Sequence, residues 1–335
     1  MMRLPWFEFR APRSVAEAAK ILAGEGPSAM LIAGGTDLIP NMKRRHQSPN
    51  TLVSLRGVQA LRKANGTLGA GLTLTDIVDS RELRAHYRGL WQAAAQVATP
   101  HLRNMGTLGG NLCLDTRCNY YNQSHEWRQA IDFCLKKDGQ TCWVATASKR
   151  CVAVSSTDTA PALIALGATV KLVSAQGERE VPLAALYNND GIDYLSRKPE
   201  EILTEVAVPQ GWASSYWKLR RRGSFDFPVL GVAAAAKLGP DGEVLQLRLA
   251  LGAVASRPFL VDKAGDKALG RKLSDDVIGE VATAVASRAK PMDNTDMDLY
   301  WRKDVVASFV GHALREVRGD DMRAERLRIA RQALQ

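Results

Sequence analysis

The feature that most constrains this chain is a polar, aromatic-rich stretch carrying Cys118, Cys134, Cys142 and Cys151 in the spacing C(x15)C(x7)C(x8)C. The stretch is rich in Tyr, Trp, Asn and Lys, and aliphatic side chains are too few to build a core of its own. Ligand bonds from the sulfurs to a metal centre would replace the missing apolar burial and hold the segment in one conformation. Thiolates are soft ligands that suit iron–sulfur clusters or zinc. The pattern lacks the C-x-x-C knuckle that most structural zinc sites use. On spacing alone a cubane cluster, a zinc site and four unrelated thiols all remain open. The fifth cysteine, Cys113, lies in the apolar run Asn111 to Leu114 and is expected to be buried and inert.

The start of the chain, MMRLPWFEFRAP, lacks the basic, apolar and small-residue regions of a secretion signal, and no apolar run is long enough to cross a bilayer. A cytoplasmic location is the expectation, and with it reduced thiols rather than a disulfide framework. The formal charge of +10 comes from 45 basic residues scattered among 35 acids without a recognition motif, which disfavours nucleic acid as a partner. A basic surface for an acidic protein or an anionic cofactor fits better.

Two glycine clusters precede the cysteine stretch. Ala29 to Ala33 reads as a buried strand running into Gly34, Gly35, Thr36 and Asp37, and the second cluster is Gly106, Thr107, Leu108, Gly109, Gly110 and Asn111. A strand ending in paired glycines can turn with positive φ and bring successive N–H groups to a pyrophosphate. Neither cluster matches the G-x-G-x-x-G fingerprint or a P-loop.

Between and beyond the clusters, Ser14 with Glu17 resembles a capping box opening a helix that closes near Gly24, and Thr75 and Asp76 begin another helix. Thr51 to Leu55 and Thr67 to Leu74 read as strands, and Pro100 should stop a helix over Leu90 to Ala98. Asp158 is placed to cap a helix over Ala160 to Leu166. Val170 to Val173 and Ile202 to Val208 are strand candidates. A three-stranded meander follows over Tyr216 to Arg220, Val229 to Leu238 and Val244 to Val254. Helices are expected about Asp275 to Arg288, Asp298 to Val317 and Met322 to Leu334, which gives an α+β fold with a separate C-terminal unit.

The segments AGGTDL at Ala33 to Leu38 followed by Met42 and Lys43, ATPHLRNMGTLGGNL at Ala98 to Leu112, DTAPALIALGA at Asp158 to Ala168 and YWKLRRRGSFDFPVLGVA together resemble the FAD-binding medium subunit of the molybdenum hydroxylase (xanthine dehydrogenase) family. The similarity runs over essentially the whole chain. The long interval from Asn111 to Ser155, with RCNYYNQS, CLKKDG and Cys151, is similar to the β subunit of 4-hydroxybenzoyl-CoA reductase, whose inserted loop holds an additional [4Fe-4S] cluster.

The resemblance implies a vanillyl-alcohol-oxidase-type FAD fold over residues 1–212, in subdomains of about 1–55 and 56–212 with an iron–sulfur loop at 114–154, and a C-terminal α+β domain over 213–335. It also implies that Ile32, Ala33, Gly34, Gly35, Thr36 and Asp37, with Thr107, Leu108, Gly109, Gly110 and Asn111, cradle FAD, Thr99 lying nearby. Asp158 would hold the polar edge of the ribityl or isoalloxazine, Ile202 or Leu203 would pack on the ring, and Lys218 would face it. Cys118, Cys134, Cys142 and Cys151 would hold the cluster, and no residue of the chain would be catalytic toward the substrate. The implied partners are a large molybdopterin subunit, a small [2Fe-2S] subunit and ferredoxin as donor, with Lys136, Lys137, Lys149 and Arg150 as cluster-tuning charges or a docking face. Two other functions compete: an FAD subunit of an NAD-linked hydroxylase acting on another aromatic or heterocyclic substrate, and a non-redox scaffold.

Overall fold

The computed structural model describes residues 3–64 and 66–329. The first unit holds β1 (Glu8–Arg10), α1 (Val15–Glu25), β2 (Ala29–Ile32), α2 (Leu38–Lys43) and β3 (Thr51–Ser54). Its strands form a parallel sheet in the order β1-β3-β2, and Ala18, Ala19 and Leu22 of α1 pack with Ala29, Val53 and Ile202. Ser14 caps α1 by accepting from the Glu17 amide, but the Glu17 carboxylate reaches the amide of Arg13 rather than that of Ser14. The helix runs to Glu25 and ends on Gly26 at φ 66°.

The second unit holds β4 (Leu68–Gly69), α3 (Leu74–Asp79), α4 (Arg81–His86), α5 (Arg88–Ala95), α6 (Pro100–Arg103), α7 (Leu108–Leu112), α8 (His125–Ala130), α9 (Thr159–Leu166), β5 (Thr169–Ser174), β6 (Gly177–Pro182) and β7 (Ile202–Ala207). Its antiparallel sheet has the order β4-β7-β5-β6. The strand expected over Thr67 to Leu74 shrinks to two residues, because the amides of Gly69 and Gly71 turn back onto the carbonyls of Lys63 and Leu61. Pro100 does not stop a helix; α5 has already ended, and Pro100 opens α6 behind the N-cap Thr99. Asp158 does not cap α9 with its side chain either; the amide of Ala160 donates to the Thr157 hydroxyl instead.

The third unit holds β8 (Ala213–Leu219), β9 (Leu230–Leu238), β10 (Val244–Gly252), β11 (Phe259–Leu260), α10 (Asp275–Ala286), α11 (Leu299–Asp304), α12 (Val306–Arg318) and α13 (Arg323–Ile329). The expected three-stranded meander is a four-stranded antiparallel sheet, β11-β10-β9-β8, since the short β11 adds to its edge. The helix expected over Asp298 to Val317 divides at Val305 into α11 and α12, and the end of the last expected helix lies outside the described residues.

Two cores meet across this sheet. Ala233, Ala235 and Ala250 face α9 and the second unit, while Val232, Ala234, Leu249 and Leu251 face α10 and α12. A strand covered on both faces reads as a continuous apolar run, which is why β9 carries LGVAAAAKL rather than an alternation. All eight residues of α9 are buried, so that helix turns no face to solvent. Small side chains on both surfaces let the helix and strand approach closely.

A buried charge network ties the units together. Glu316 on α12 accepts from Gln92 on α5 at 2.9 Å, from Trp217 on β8 at 3.1 Å and from Arg326 on α13 at 3.1 Å, with Ser215 and Arg88 also donating. The Arg326 and Glu316 side chains are 1% and 6% exposed. Removing one partner of such a pair strands the other in a low-dielectric site. Glu316→Ala is therefore expected to destabilise the protein by on the order of 3–5 kcal/mol, read as a lowered denaturation midpoint in urea. Retention of the wild-type midpoint would show that the network carries no such weight.

Candidate functional site

A cavity of about 920 Å³ opens where the first unit meets the second and third. Its walls include Ile32, Ala33, Gly34, Gly35, Thr36 and Asp37, with Thr107, Gly109, Gly110 and Asn111, so both glycine clusters face one space. Gly34 has no room for a side chain, because a Cβ there would sit 1.9 Å from the Met105 carbonyl oxygen. Gly35 follows at φ +70°, in the left-handed region.

The amides of Gly34, Gly35, Thr36 and Asp37 donate to no acceptor among the described residues. Four successive unspent N–H groups bordering a cavity make an anion cradle. The second cluster differs. Leu108, Gly109, Gly110 and Asn111 spend their amides on Leu72, Ala70 and Thr107, forming the short helix α7 rather than an open loop. Its contribution is a side chain: Asn111 Oδ1 accepts from the Thr157 and Thr159 hydroxyls at 2.9 and 2.6 Å, and its Nδ2 has no acceptor among the described residues.

Three residues expected at the cofactor do not line this cavity. Thr99 caps α6, Leu108 is fully buried in the core, and Lys218 lies behind Asp158. Asp158 and Leu203 do line it. The Asp158 carboxylate accepts from Tyr216 Oη at 2.8 Å and from Lys218 Nζ at 3.0 Å, and Lys218 also donates to the Gln96 carbonyl. Burial pushes the Asp158 carboxyl up and the Lys218 ammonium down, and each charge offsets the penalty on the other.

A residue that sequence reasoning missed is Arg117. It contacts Asp37 Oδ1, donates to Asn41 Oδ1 at 2.9 Å, and lies against the Phe227 ring at 5.2 Å, so it ties the first glycine loop to the cysteine segment. Cys113 departs from expectation as well. It is half-buried and lines the cavity, where burial pushes its thiol up against the opposing effect of Arg197.

Cys118, Cys134, Cys142 and Cys151 line a second, small cavity together with Tyr120, Tyr121, Leu135, Lys136 and Trp143. All four are buried and none is in a disulfide. Among the described residues no three His, Cys, Asp or Glu side chains stand as a group able to grip one metal ion. Burial pushes the Cys118 thiol up to about 11 and the Cys151 thiol up to about 12. Gly191 is required beside Cys151, since a Cβ there would meet its sulfur at 2.6 Å.

Lys136 anchors the inserted segment. Its Nζ donates to Asp115 Oδ1 at 2.9 Å, Thr116 Oγ1 at 2.8 Å and the Gly191 carbonyl at 2.6 Å. The side chain is 6% exposed, so Lys136 cannot belong to a docking face, whereas Lys149 and Arg150 are exposed. Trp127 and Trp143 are the large apolar side chains exposed on the same segment.

The family model described as the FAD binding domain in molybdopterin dehydrogenase matches residues 5–211, and that of the CO dehydrogenase flavoprotein C-terminal domain matches 214–317. The chain belongs to this flavoprotein family. It is 31% identical to the aldehyde oxidoreductase FAD-binding subunit of Escherichia coli K12 over 92% of its own length and 98% of that relative's. With the nicotinate dehydrogenase FAD-subunit of Eubacterium barkeri the identity is 28%, over 80% and 81% of the two chains. A chain of the carbon monoxide dehydrogenase structure from Hydrogenophaga pseudoflava superposes with a TM-score of 0.75 at 25% identity, covering 93% of this chain and 97% of that one. The flavoprotein is thus a subunit type found in oxidoreductases, with a mixed helix and sheet fold. Among its described residues no helix is long and apolar enough to cross a membrane.

His46 supplies a pH test of the segment's packing. Its ring stacks on Tyr121 at 4.0 Å, and neither ring nitrogen has a partner among the described residues. Burial, reinforced by Arg128 and Arg44, lowers its pKa from 6.5 to about 4. The unfolded chain therefore takes up this proton first, so His46's contribution is present above pH 6.5 and is lost as the pH falls toward 4. His46→Phe keeps the stacking and is expected to flatten that part of the stability–pH curve measured by thermal denaturation; equal slopes in both proteins would contradict the assignment.

Proposed function

We propose that this chain is the flavin and iron–sulfur subunit of a molybdenum-dependent oxidoreductase of the 4-hydroxybenzoyl-CoA reductase kind, with FAD in the large cavity and a [4Fe-4S] cluster among the four cysteines. The observation that carries the reading is the convergence of four buried, unbridged thiols on one small cavity beside the glycine-lined one. A single tetrahedral ion draws four sulfurs tightly around itself at roughly 2.3 Å. A [4Fe-4S] cluster takes one cysteine thiolate at each of its four irons, and four buried thiols line this cavity.

The free amides of Gly34 to Asp37 would bind the pyrophosphate, Asn111 Nδ2 would donate to the cofactor, and Leu203 would supply an apolar contact for the ring. FAD bound there would connect one-electron carriers to a two-electron reaction performed elsewhere. Asp158 holds its place through Tyr216 and Lys218, so Lys218 would act on the cofactor through Asp158 rather than by touching it. Partners of the complex would be a large molybdopterin subunit and a small [2Fe-2S] subunit, a reading supported by relatives named as medium chains and FAD-binding subunits. An acidic ferredoxin would dock on Lys149, Arg150 and the exposed Trp127 and Trp143, without Lys136. Such docking gives a reduction rate that falls with salt.

The deciding experiment is anaerobic purification with iron, sulfide and flavin quantification. Four irons and one FAD per chain are expected. A second reading makes the chain the FAD subunit of an NAD-linked hydroxylase acting on another substrate, in line with relatives named for aldehyde and nicotinate as substrates, and flavin without iron would select it. Cys134→Ser is expected to abolish the cluster while FAD stays bound; equal loss of both would refute two separable sites. Gly34→Ala, which forces Met105 away from the first loop, is expected to weaken FAD binding by about tenfold or more, roughly 1.4 kcal/mol, with the cluster content unchanged. Undiminished flavin affinity would remove the amide cradle from the assignment.

A further inference from the structure

Asp115 lines the large cavity, yet both of its carboxylate oxygens are engaged by side chains that line the cysteine cavity. Oδ2 accepts from Tyr121 Oη at 3.0 Å, and Oδ1 accepts from Lys136 Nζ at 2.9 Å. The Asp115 and Lys136 side chains are 5% and 6% exposed, so water does little to screen the pair. Lys136 is the one basic side chain among the described residues lining the cysteine cavity. Its other two acceptors, the Thr116 hydroxyl and the Gly191 carbonyl, are neutral. Asp115 is thus the formal counter-charge of that ammonium, placed on the wall between the two cavities.

This arrangement bears on electron transfer, and the argument rests on the cluster reading given above. The couple concerned is one electron gained by the cluster and lost by a reduced one-electron carrier protein, with no bond made or broken. A cluster held by four thiolates becomes more negative on reduction, so a nearby uncompensated ammonium would favour the reduced form and raise the potential. We infer that Asp115 is a positioning residue that holds the cysteine-bound centre at low potential by neutralising Lys136. A low potential there keeps electron passage toward the flavin cavity favourable. The same carboxylate bonds Tyr121, so the two compartments are joined by a continuous path of hydrogen bonds.

The test is a potentiometric titration of the intact, anaerobically purified protein with dithionite and mediators, following the cluster by electron paramagnetic resonance and the flavin by absorption. Asp115→Asn is expected to raise the cluster midpoint by a tenfold change in its one-electron equilibrium, about 59 mV. Lys136→Met is expected to lower it. The double variant, again neutral, should return near the wild-type value. A residue that merely clamped the loop would shift both single variants in the same direction or release iron from all three variants, and either result overturns the inference. Unchanged potentials with iron retained overturn it as well. Wild-type protein that holds no iron would instead refute the cluster reading itself, so the two failures are distinguishable.

Discussion

A long polar insertion stays ordered only if something replaces the hydrophobic burial it lacks, and here Lys136 does so. Its buried ammonium gathers Asp115, which borders the large cavity, the Thr116 hydroxyl, and Gly191, which packs on Cys151. Placing an ammonium in such surroundings is costly unless its protons are all used. Three good acceptors and two nearby aromatic faces, Tyr121 at 4.8 Å and Tyr194 at 5.4 Å, meet that requirement. The apolar contacts inside the insertion are few: Cys118, Cys134 and Cys151 with Tyr121 and Ala153 make its small core. Sulfur atoms thus serve both as the segment's packing and as its potential ligands.

Geometry around this anchor explains why the two cavities sit side by side. The chain leaves Asn111 at one cavity and reaches Cys118 at the other, with Asp115 and Arg117 between them. Arg117 pairs with Asp37 of the first glycine loop while its backbone bonds Val154, the strand-like partner that closes the insertion. Arg117 thus fixes where the first glycine loop stands relative to the start of the insertion. The two cavities have separate walls, joined where Asp115 of one meets Tyr121 and Lys136 of the other.

Much of this was legible in the chain itself, for reasons that differ from residue to residue. The glycine pair at Gly34 and Gly35 announced a tight approach because only absent side chains allow one. β9 was readable since a strand covered on both faces needs an unbroken apolar run. Pairing contacts made after folding were hidden. Nothing local marks Arg117 as the partner of Asp37, or Lys136 as buried, because a basic residue in a polar stretch looks solvated until its acceptors arrive from residues 115, 116 and 191. Asp158 was misread as a helix cap for the same reason: Tyr216 and Lys218 come from a distant strand and outcompete the local amides.

The second glycine cluster shows how one residue type can serve two purposes within a single site. Gly109 and Gly110 look like phosphate-binding glycines, yet their amides are consumed within the protein, and the smallness of Gly109 instead lets α7 press against Ala70. What remains available there is the Asn111 amide, held in place by Thr157 and Thr159. Cofactor affinity at this cavity should accordingly divide unequally. The first loop offers fixed backbone dipoles to an anion, whose attraction is electrostatic and weakens in salt. The second offers one oriented side-chain donor, whose worth depends on two hydroxyls behind it. A ligand lacking a pyrophosphate would forfeit the first contribution and keep the second.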